Sequence, residues 1–431
     1  MTMQIIKYPD KKEWPEILER PLFDSSSLEE TVKSILHEVK LNGDEAVRKF
    51  TLQFDKADIS ELRVSEIEID QAGRSLPEEL KQAILTAKNN IEKFHAAQLR
   101  EIEFVETMPG VQCWRRSTPI EKVGLYIPGG SAPLFSTILM LATPARLAGC
   151  REIILCSPPS TEGKLNSAIL FTAKLAGITK VFRVGGVQAI AAMSYGSGSI
   201  PKVYKIFGPG NQYVTCAKQL VQKDGMAIDL PAGPSEVAVY ADETANPSFV
   251  AADLLSQAEH GIDSQVLLIT HYSLLIDAVI KEIDKQIAEL PRKNIAIKAL
   301  ENSKCILVKN EMEAMDLLNE YAPEHLILSC SNADDLAQKI INAGSVFLGH
   351  YSPESVGDYA SGTNHTLPTN GYARSYSGVS VDSFVKKITF QKLSEEGLKN
   401  IGTTVELMAE AEGLQAHANA VRVRRQKLNR R

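Results

Sequence analysis

A glutamine and a histidine three positions apart close an apolar, helix-patterned segment of this 431-residue chain. Gln257 and His260 lie in residues 256–264, which read S-Q-A-E-H-G-I-D-S. Positions i and i+3 of a helix share a face, so an amide oxygen and an imidazole can point at one spot. Two ligands do not make a metal site, and a structural pair is the plain alternative. A reactive centre would need further ligands and a base from elsewhere in the chain.

A carboxylate and an imidazole stand side by side in the short loop A-P-E-H, at Glu324 and His325. Neighbouring loop residues can present an acid and a base to one pocket from two sides. A histidine near its ordinary pKa can abstract a proton at neutral pH, and a carboxylate can activate water. The pair therefore indicates acid–base chemistry, although a salt-bridged turn would use the same two residue types.

Further polar candidates follow in the last quarter of the chain. Asp358 lies in the polar stretch V-G-D-Y-A-S-G, and His417 follows Glu412 by five positions in a helical pattern. Taken singly, Asp358 is also typical of a turn, and Glu412 and His417 are typical of a solvated helix face. With Gln257 and His260 they offer nitrogen and oxygen ligands without thiolates, a set that suits Zn²⁺ or another borderline divalent ion. Spacing alone does not show that residues so far apart converge.

Alternating strand and helix patterns fill the middle of the chain and must position these residues. Such alternation implies parallel βαβ units with right-handed crossovers. We expect an α/β protein with two Rossmann-like domains, a mainly helical N-terminal part and a small helical C-terminal tail. The expected ranges are 1–122 for the N-terminal part, packed with the second domain, 123–236 and 237–380 for the two domains, and 381–431 for the tail.

Three predicted strand ends in the first domain carry glycine-rich turns, at 128–130, 185–186 and 208–210. Glycine lets the backbone turn sharply and lets a ligand approach its N–H groups, and ligands bind at the carboxyl ends of parallel strands. None of the turns fits G-x-G-x-x-G, because Tyr213 stands where the third glycine should be. A dinucleotide site and plain tight turns both stay open at this point. The later loop P-A-G-P-S-E adds a hydroxyl at Ser235.

Composition narrows the class of protein. The net charge of −6 argues against nucleic acid as a partner, since phosphate binding needs a concentrated basic surface. The longest apolar run, at 134–142, is far shorter than the roughly 20 residues that span a bilayer. No secretory signal pattern opens the chain, and the six cysteines are scattered without a C-x-x-C pair. We expect a cytoplasmic protein with reduced thiols and without a membrane or nucleic-acid partner.

Long stretches of the chain resemble the histidinol dehydrogenase family, and they cover about residues 115–370 almost without a break. The matching stretches include V-G-L-Y-I-P-G-G-S-A-P-L-F-S-T, V-G-G-V-Q-A-I-A-A, K-I-F-G-P-G-N, D-L-P-A-G-P-S-E-V, D-L-L-S-Q-A-E-H-G-I-D-S-Q, A-P-E-H-L and S-P-E-S-V-G-D-Y-A-S-G-T-N-H-T-L-P-T. The resemblance implies a zinc-dependent, four-electron oxidation of L-histidinol to L-histidine through L-histidinaldehyde. Two NAD⁺ molecules accept the hydrides, in the last two steps of histidine biosynthesis.

The resemblance also assigns roles to individual residues. It implies that Glu324 and His325 are catalytic and that one Zn²⁺ per subunit is held by Gln257, His260, Asp358 and His417. The implied substrate contacts are Ser235, Gln257, His260, His325, Asp358, Glu412 and His417. The implied NAD⁺ contacts are Tyr126, Gln188 and Asn211. The family's own glycine pattern explains the missing G-x-G-x-x-G, and its intertwined homodimer implies that Glu412 and His417 act in the partner's site.

Two other functions would use parts of the same residue set. A zinc-dependent hydrolase needs the ligands but has no use for NAD⁺, so it would give no NADH absorbance. A non-catalytic binding protein with two α/β domains would bind histidinol or histidine without turnover. Formation of NADH from L-histidinol separates both of them from a dehydrogenase.

Overall fold

A computed structural model describes residues 3–21, 26–129, 133–178, 180–231 and 233–430 of the chain. The predicted turn residue Gly130 lies outside these ranges. The strands of the described residues are β1 (Gln4–Lys7), β2 (Phe104–Met108), β3 (Val111–Pro119), β4 (Lys122–Tyr126), β5 (Glu152–Ser157), β6 (Lys180–Arg183), β7 (Lys205–Phe207), β8 (Ala227–Ile228), β9 (Glu236–Ala241), β10 (Gln265–Thr270), β11 (Lys304–Leu307), β12 (His325–Ser329), β13 (Ser345–Leu348) and β14 (Val385–Leu393).

Helices connect most of these strands, as the alternating sequence pattern predicts. They are α1 (Trp14–Ile17), α2 (Ser26–Asp55), α3 (Glu66–Gln71), α4 (Glu78–Ala96), α5 (Phe135–Ala148), α6 (Ser167–Leu175), α7 (Gly186–Tyr195), α8 (Gln212–Lys223), α9 (Pro247–Ala258), α10 (Ser273–Ile287), α11 (Lys293–Glu301), α12 (Glu311–Tyr321), α13 (Ala333–Ala337), α14 (Glu354–Tyr359), α15 (Glu395–Ala411) and α16 (Gln415–Asn429). Among these helices, none is long and apolar enough to cross a membrane.

Two parallel sheets organise the molecule. The first has five strands in the order β6-β5-β4-β7-β8, and the second has six in the order β1-β11-β10-β9-β12-β13. Buried strands such as β9 and β10, each without an exposed residue, are typical of parallel sheets covered on both faces. These sheets and the C-terminal helices confirm the expected α/β class with a helical C-terminal region.

The N-terminal part divides between the two α/β units. Strand β1 pairs with β11 at the edge of the six-stranded sheet. Helix α2 instead packs on α7 and α8, and α4 packs on α5, both beside the five-stranded sheet. The apolar face of α2, including Val32 and Val47, shares a core with Ala189 and Ile190 of α7. The expected packing on the second domain is therefore wrong for α2, whereas α4 also contacts residues 360–364 of that domain, where Asn90 Nδ2 donates to the Ala360 carbonyl at 2.8 Å.

The C-terminal tail begins with a strand, so the expectation of a purely helical segment at 381–431 is corrected. Strand β14 pairs antiparallel with β3 from Val385↔Pro119 to Leu393↔Val111, and β2 completes a three-stranded sheet. Phe390 stacks on Trp114 with ring centroids 5.4 Å apart, which stabilises the pairing. Helices α15 and α16 follow and pack on each other.

Candidate active site

The predicted acid–base pair lies at the amino edge of the six-stranded sheet. His325 is the first residue of β12, Glu324 directly precedes it, and the neighbouring strand β9 begins at Glu236. Ligands of parallel sheets generally bind at the carboxyl edge. The five-stranded sheet follows this rule, because the cavity described below lies at its carboxyl edge. The six-stranded sheet does not follow it. The six-stranded sheet presents the starts of its strands to the site.

Glu324 is a buried carboxyl with defined contacts. Its side chain is 6% exposed, its Oε2 accepts a hydrogen bond from the Glu236 N–H at 2.9 Å, and Gln257 Nε2 lies 3.4 Å from the same oxygen. Burial raises the pKa of Glu324 to about 8, while neighbouring His325 and the Glu236 N–H oppose that rise. A carboxyl with such a pKa exchanges protons near neutral pH, which is what a general acid–base residue must do.

His325 is held by a backbone carbonyl on one side and faces carboxylates on both. Its Nδ1 lies 3.2 Å from the Glu236 carbonyl oxygen, and its Nε2 lies 3.4 Å from Asp358 Oδ1. Burial lowers the pKa of His325, but the surrounding carboxylates, Glu354 first, outweigh it and hold the pKa well above its ordinary value. The raised pKa keeps a proton on both ring nitrogens at neutral pH. A cation bound beside Asp358 would offset the carboxylates and free Nε2 to accept a proton, while the Nδ1–H stays on the Glu236 carbonyl.

Several buried polar atoms in this region have no hydrogen-bond partner among the described residues. They are Gln257 Oε1, His325 Nε2, Glu354 Oε2 and Asp358 Oδ1. Candidate ligand atoms of His325, Glu354 and Asp358 all lie within 4.8 Å of one another. Buried polar groups are normally satisfied, so unsatisfied atoms on these three clustered residues indicate a place for a cation. Of these residues, Gln257 and Asp358 belong to the predicted ligand set, whereas His325 and Glu354 do not.

Glu354 is the residue of this group that sequence reasoning missed. It is 1% exposed, and its Oε1 lies 3.8 Å from His325 Nδ1. Burial raises its pKa to about 8. The sequence signal was its position four residues before Asp358, because i and i+4 share a helical face. That signal was hidden because the stretch reads as a polar loop, whereas Asp358 lies on helix α14.

A cavity of about 560 Å³ opens beside this cluster. Its wall includes the predicted substrate residues Ser235 and His260, together with Glu324 and His365. His260 is exposed to the cavity, but the protein around it still lowers the pKa of its imidazole, which favours the neutral form that binds metals. The Nδ1 of His365 lies 2.8 Å from the Asp358 carbonyl oxygen, and its Nε2 lies 3.0 Å from Thr137 Oγ1.

The two predicted tail residues lie elsewhere in the chain. Glu412 directly follows α15 as its C-cap, His417 lies on α16, and both side chains are exposed. Helix α15 packs on α16 and on the strands β14 and β2 of the three-stranded sheet. Neither residue lines the cavity of Glu324 and His260. Within one chain, the structure therefore brings together Gln257, Glu324, His325 and Asp358 but not Glu412 or His417.

A larger cavity of about 1060 Å³ lies at the carboxyl edge of the five-stranded sheet. All three predicted NAD⁺ contacts, Tyr126, Gln188 and Asn211, line it. The Tyr126 hydroxyl accepts the Gly186 N–H at 3.2 Å, and both amide atoms of the buried Gln188 lack a hydrogen-bond partner within the described part of the chain. Asn211 also lines the smaller cavity, so the two cavities adjoin at this residue.

Comparison with known proteins gives concordant results. The family model described as histidinol dehydrogenase matches residues 18–425. Histidinol dehydrogenase of Bacteroides fragilis strain YCH46 is 59% identical over 428 residues, covering 99% of this chain and 100% of that protein. The Salmonella typhimurium LT2 enzyme of the same name is 52% identical over 95% of this chain and 94% of its own length. The crystal structure of histidinol dehydrogenase from Elizabethkingia anophelis superposes with a TM-score of 0.97, at 54% identity and 99% coverage of both chains.

Proposed function

This chain belongs to the histidinol dehydrogenase family, and on that premise we propose that it oxidises L-histidinol to L-histidine through L-histidinaldehyde, with two NAD⁺ as hydride acceptors. It is an oxidoreductase, as the family name states. The observation that carries the finer proposal is the junction at Asn211, where the cavity of Tyr126 and Gln188 meets the cavity of Glu324. A hydride donor and its acceptor need such adjoining sites.

In the first oxidation, His325 acts as the general base. Its Nε2 takes the proton of the histidinol hydroxyl, while a hydride moves from the carbon that bears this hydroxyl to the nicotinamide ring. The C–O bond becomes a carbonyl, so the products are histidinaldehyde, NADH and a proton. The contact between Nδ1 and the Glu236 carbonyl supports this role, because it orients the ring and fixes which nitrogen is free.

In the second oxidation, Glu324 activates water. The water loses a proton to the carboxylate as its oxygen attacks the aldehyde carbon, which gives a gem-diol. His325 then takes a diol proton while a second NAD⁺ accepts the hydride, and L-histidine forms. The burial of Glu324 and His325 supports retention of the aldehyde, because a closed site keeps a reactive intermediate from bulk water.

We propose Gln257, His260 and Asp358 as the ligands that this chain offers to Zn²⁺, with His417 supplied by a second copy. The orphaned Gln257 Oε1 and Asp358 Oδ1 support that assignment. When bound, the ion would hold the amino group and imidazole of the substrate in position. Chelation should abolish turnover and added Zn²⁺ should restore it; full activity after chelation would rule out an essential metal.

The proposed assembly is a homodimer in which Glu412 and His417 complete the partner's site. Both residues are exposed on a tail that packs on the three-stranded sheet. Leu407 and Met408 of the same tail are 63% and 61% exposed, an apolar surface that a second subunit would cover. A cytoplasmic location is part of the same proposal, since all six cysteines are unpaired.

The decisive experiment counts NADH formed per L-histidinol consumed by the purified protein. Two NADH per histidinol are expected, with histidine as the product. No NADH would overturn the proposed function. A limiting value of one, with aldehyde accumulating, would overturn the four-electron form of the proposal.

A further inference from the structure

Asp55 is a carboxylate of the larger cavity that the proposed reaction does not use. It is the last residue of α2 and lines the cavity together with Tyr126 and Gln188. Its Oδ2 is shut off from solvent and has no hydrogen-bond partner among the described residues. Burial raises the pKa of Asp55 to about 6, with no opposing contribution from a cation or a donor. The protein alone leaves this group unsatisfied.

The position of Asp55 is unfavourable for an anion on further grounds. A carboxylate at a helix C-terminus opposes the helix dipole. The adjacent Lys56 turns away, since its ammonium donates to the Gln53 carbonyl at 2.8 Å. Among the described residues of the cavity wall, the other charged side chain is Lys164, which is 73% exposed and lies 3.8 Å from Glu162. A half-buried carboxylate on a cavity wall, held against these forces, is typical of a group that binds a ligand.

The geometry of the cavity indicates which part of a dinucleotide reaches Asp55. The nicotinamide must lie near Asn211, where the cavity meets the one that contains Glu324. The first turn of α7 beyond Gly186, whose own N–H is donated to the Tyr126 hydroxyl, offers backbone N–H groups suited to a pyrophosphate. Asp55 lines the larger cavity and not the smaller one, so the part of the dinucleotide farther from the reacting ring can reach it. That side is left for the adenosine half.

We propose that Asp55 selects NAD⁺ over NADP⁺ by accepting hydrogen bonds from the 2′- and 3′-hydroxyls of the adenosine ribose. The hydroxyls would satisfy the carboxylate, as an acidic residue does in other dinucleotide sites. A 2′-phosphate at the same place would set a dianion against the carboxylate. The inference rests on the proposed NAD⁺-dependent function and adds a specificity determinant to it.

The test compares cofactors in the wild type, Asp55→Ala and Asp55→Asn, with kcat and KM measured for NAD⁺, NADP⁺ and an NAD⁺ analogue whose adenosine ribose lacks the 2′-hydroxyl. The wild type should use the analogue about tenfold less well in kcat/KM, as expected for a hydrogen bond to a charged group. Asp55→Ala should lose that difference, because the acceptor is gone. In both variants the ratio of kcat/KM for NADP⁺ to that for NAD⁺ should rise about tenfold or more.

Controls separate this inference from a structural effect and from the proposed function. Asp58→Asn removes an exposed carboxylate three positions away that does not line the cavity, and it should leave all ratios unchanged. The KM for histidinol should also stay unchanged in the Asp55 variants. If Asp55→Ala does not fold, the isosteric Asp55→Asn still tests the NADP⁺ ratio. A wild type without NAD⁺-linked turnover would refute the proposed function, whereas an active wild type with unchanged cofactor ratios in the variants would overturn the role of Asp55.

Discussion

Glu324 and His325 are adjacent in the chain yet meet different surroundings. The Glu324 carboxylate accepts one backbone N–H from Glu236, and burial raises its pKa to about 8. The His325 ring approaches the carbonyl of the same Glu236 and is surrounded by carboxylates. Glu236, the first residue of β9, thus orients Glu324 through its N–H and His325 through its C=O. The two side chains can therefore take separate roles in a two-step oxidation.

Replacement of the two residues should separate the steps. Glu324→Gln keeps the shape but cannot take a proton from water, so aldehyde oxidation should fall by about 10²- to 10⁴-fold while histidinol oxidation is largely kept. His325→Asn should impair both oxidations, because the same base acts twice. The measurement is NADH formation with histidinol and, separately, with histidinaldehyde. Equal loss of both steps in Glu324→Gln would contradict the division of roles.

Asp55 allows a prediction about stability that is independent of catalysis. Its folded-state pKa of about 6 lies above the ordinary value of 3.8, so the folded state binds this proton more tightly than the unfolded state. The ionised group therefore lowers stability above about pH 6, and the penalty fades as the pH falls from 6 to 3.8. Asp55→Asn should raise the free energy of unfolding at pH 7 and not near pH 4. Urea unfolding at both pH values measures this, and destabilisation at pH 7 would contradict it.

At the scale of elements, a buried ion pair fixes the turn that carries Asn211. Gly208 donates its N–H to Asp229 Oδ2 at 2.8 Å, and its carbonyl accepts from Lys218 Nζ at 2.9 Å. Lys218 Nζ lies 2.5 Å from Asp229 Oδ1, with the side chains 5% and 1% exposed. Gly208 has a φ of +125°, and a Cβ there would come 2.0 Å from the Tyr126 carbonyl oxygen. The turn therefore requires glycine, and the ion pair holds it through both the N–H and the C=O of Gly208.

Loss of one partner of this ion pair should lower the free energy of unfolding more than loss of both charges. Lys218→Met leaves a buried unpaired carboxylate, for which we expect a loss of about 3–5 kcal/mol in the free energy of unfolding and a higher KM for NAD⁺. The double variant Lys218→Met, Asp229→Asn should regain much of the stability, since no charge is then left unpaired. Lys223→Met on the exposed face of the same helix serves as the control. A double variant no more stable than Lys218→Met would contradict the ion-pair explanation.

The elements also show what a sequence can and cannot predict. The alternation of strands and helices and the glycine-rich turns depend on local patterns, so the parallel α/β class was predicted correctly. Strand β14 was missed because its partner β3 lies far away in the chain, and local propensity cannot show such pairing. Helix α14 was missed because the polar stretch around Asp358 lacks an apolar face. The assignment of ligands came from resemblance, since spacing could not show that Gln257 and Asp358 converge.

At the scale of the whole molecule, the two sheets meet the site with opposite edges. The five-stranded sheet presents its carboxyl edge, with Tyr126 and Asn211, to the larger cavity. The six-stranded sheet presents the starts of β9 and β12 to the smaller one. The N-terminal part connects the two units, because β1 extends one sheet and α2 covers the other. The two cavities thus adjoin through the relative placement of two units.

The tail gives the prediction that tests the assembly. One chain leaves His417 exposed on α16, away from His325, so we expect the site to be completed by a second copy. His325→Asn and His417→Ala homodimers should each be inactive. Dimers formed by unfolding and refolding an equal mixture should recover about a quarter of the wild-type activity. Half of them are mixed, and each mixed dimer has one intact site out of two.

The pattern of recovery distinguishes action between subunits from action within one. If His417 served its own chain, every site in a mixed dimer would carry one defect, and mixing would restore nothing. A chain with both substitutions is the matched control, because mixing it with His325→Asn leaves every site lacking His325 and should give no recovery. The quarter-activity value requires that the refolded wild type regain full activity under the same protocol. Absence of recovery with a fully active refolded wild type would contradict completion of the site by the partner's tail.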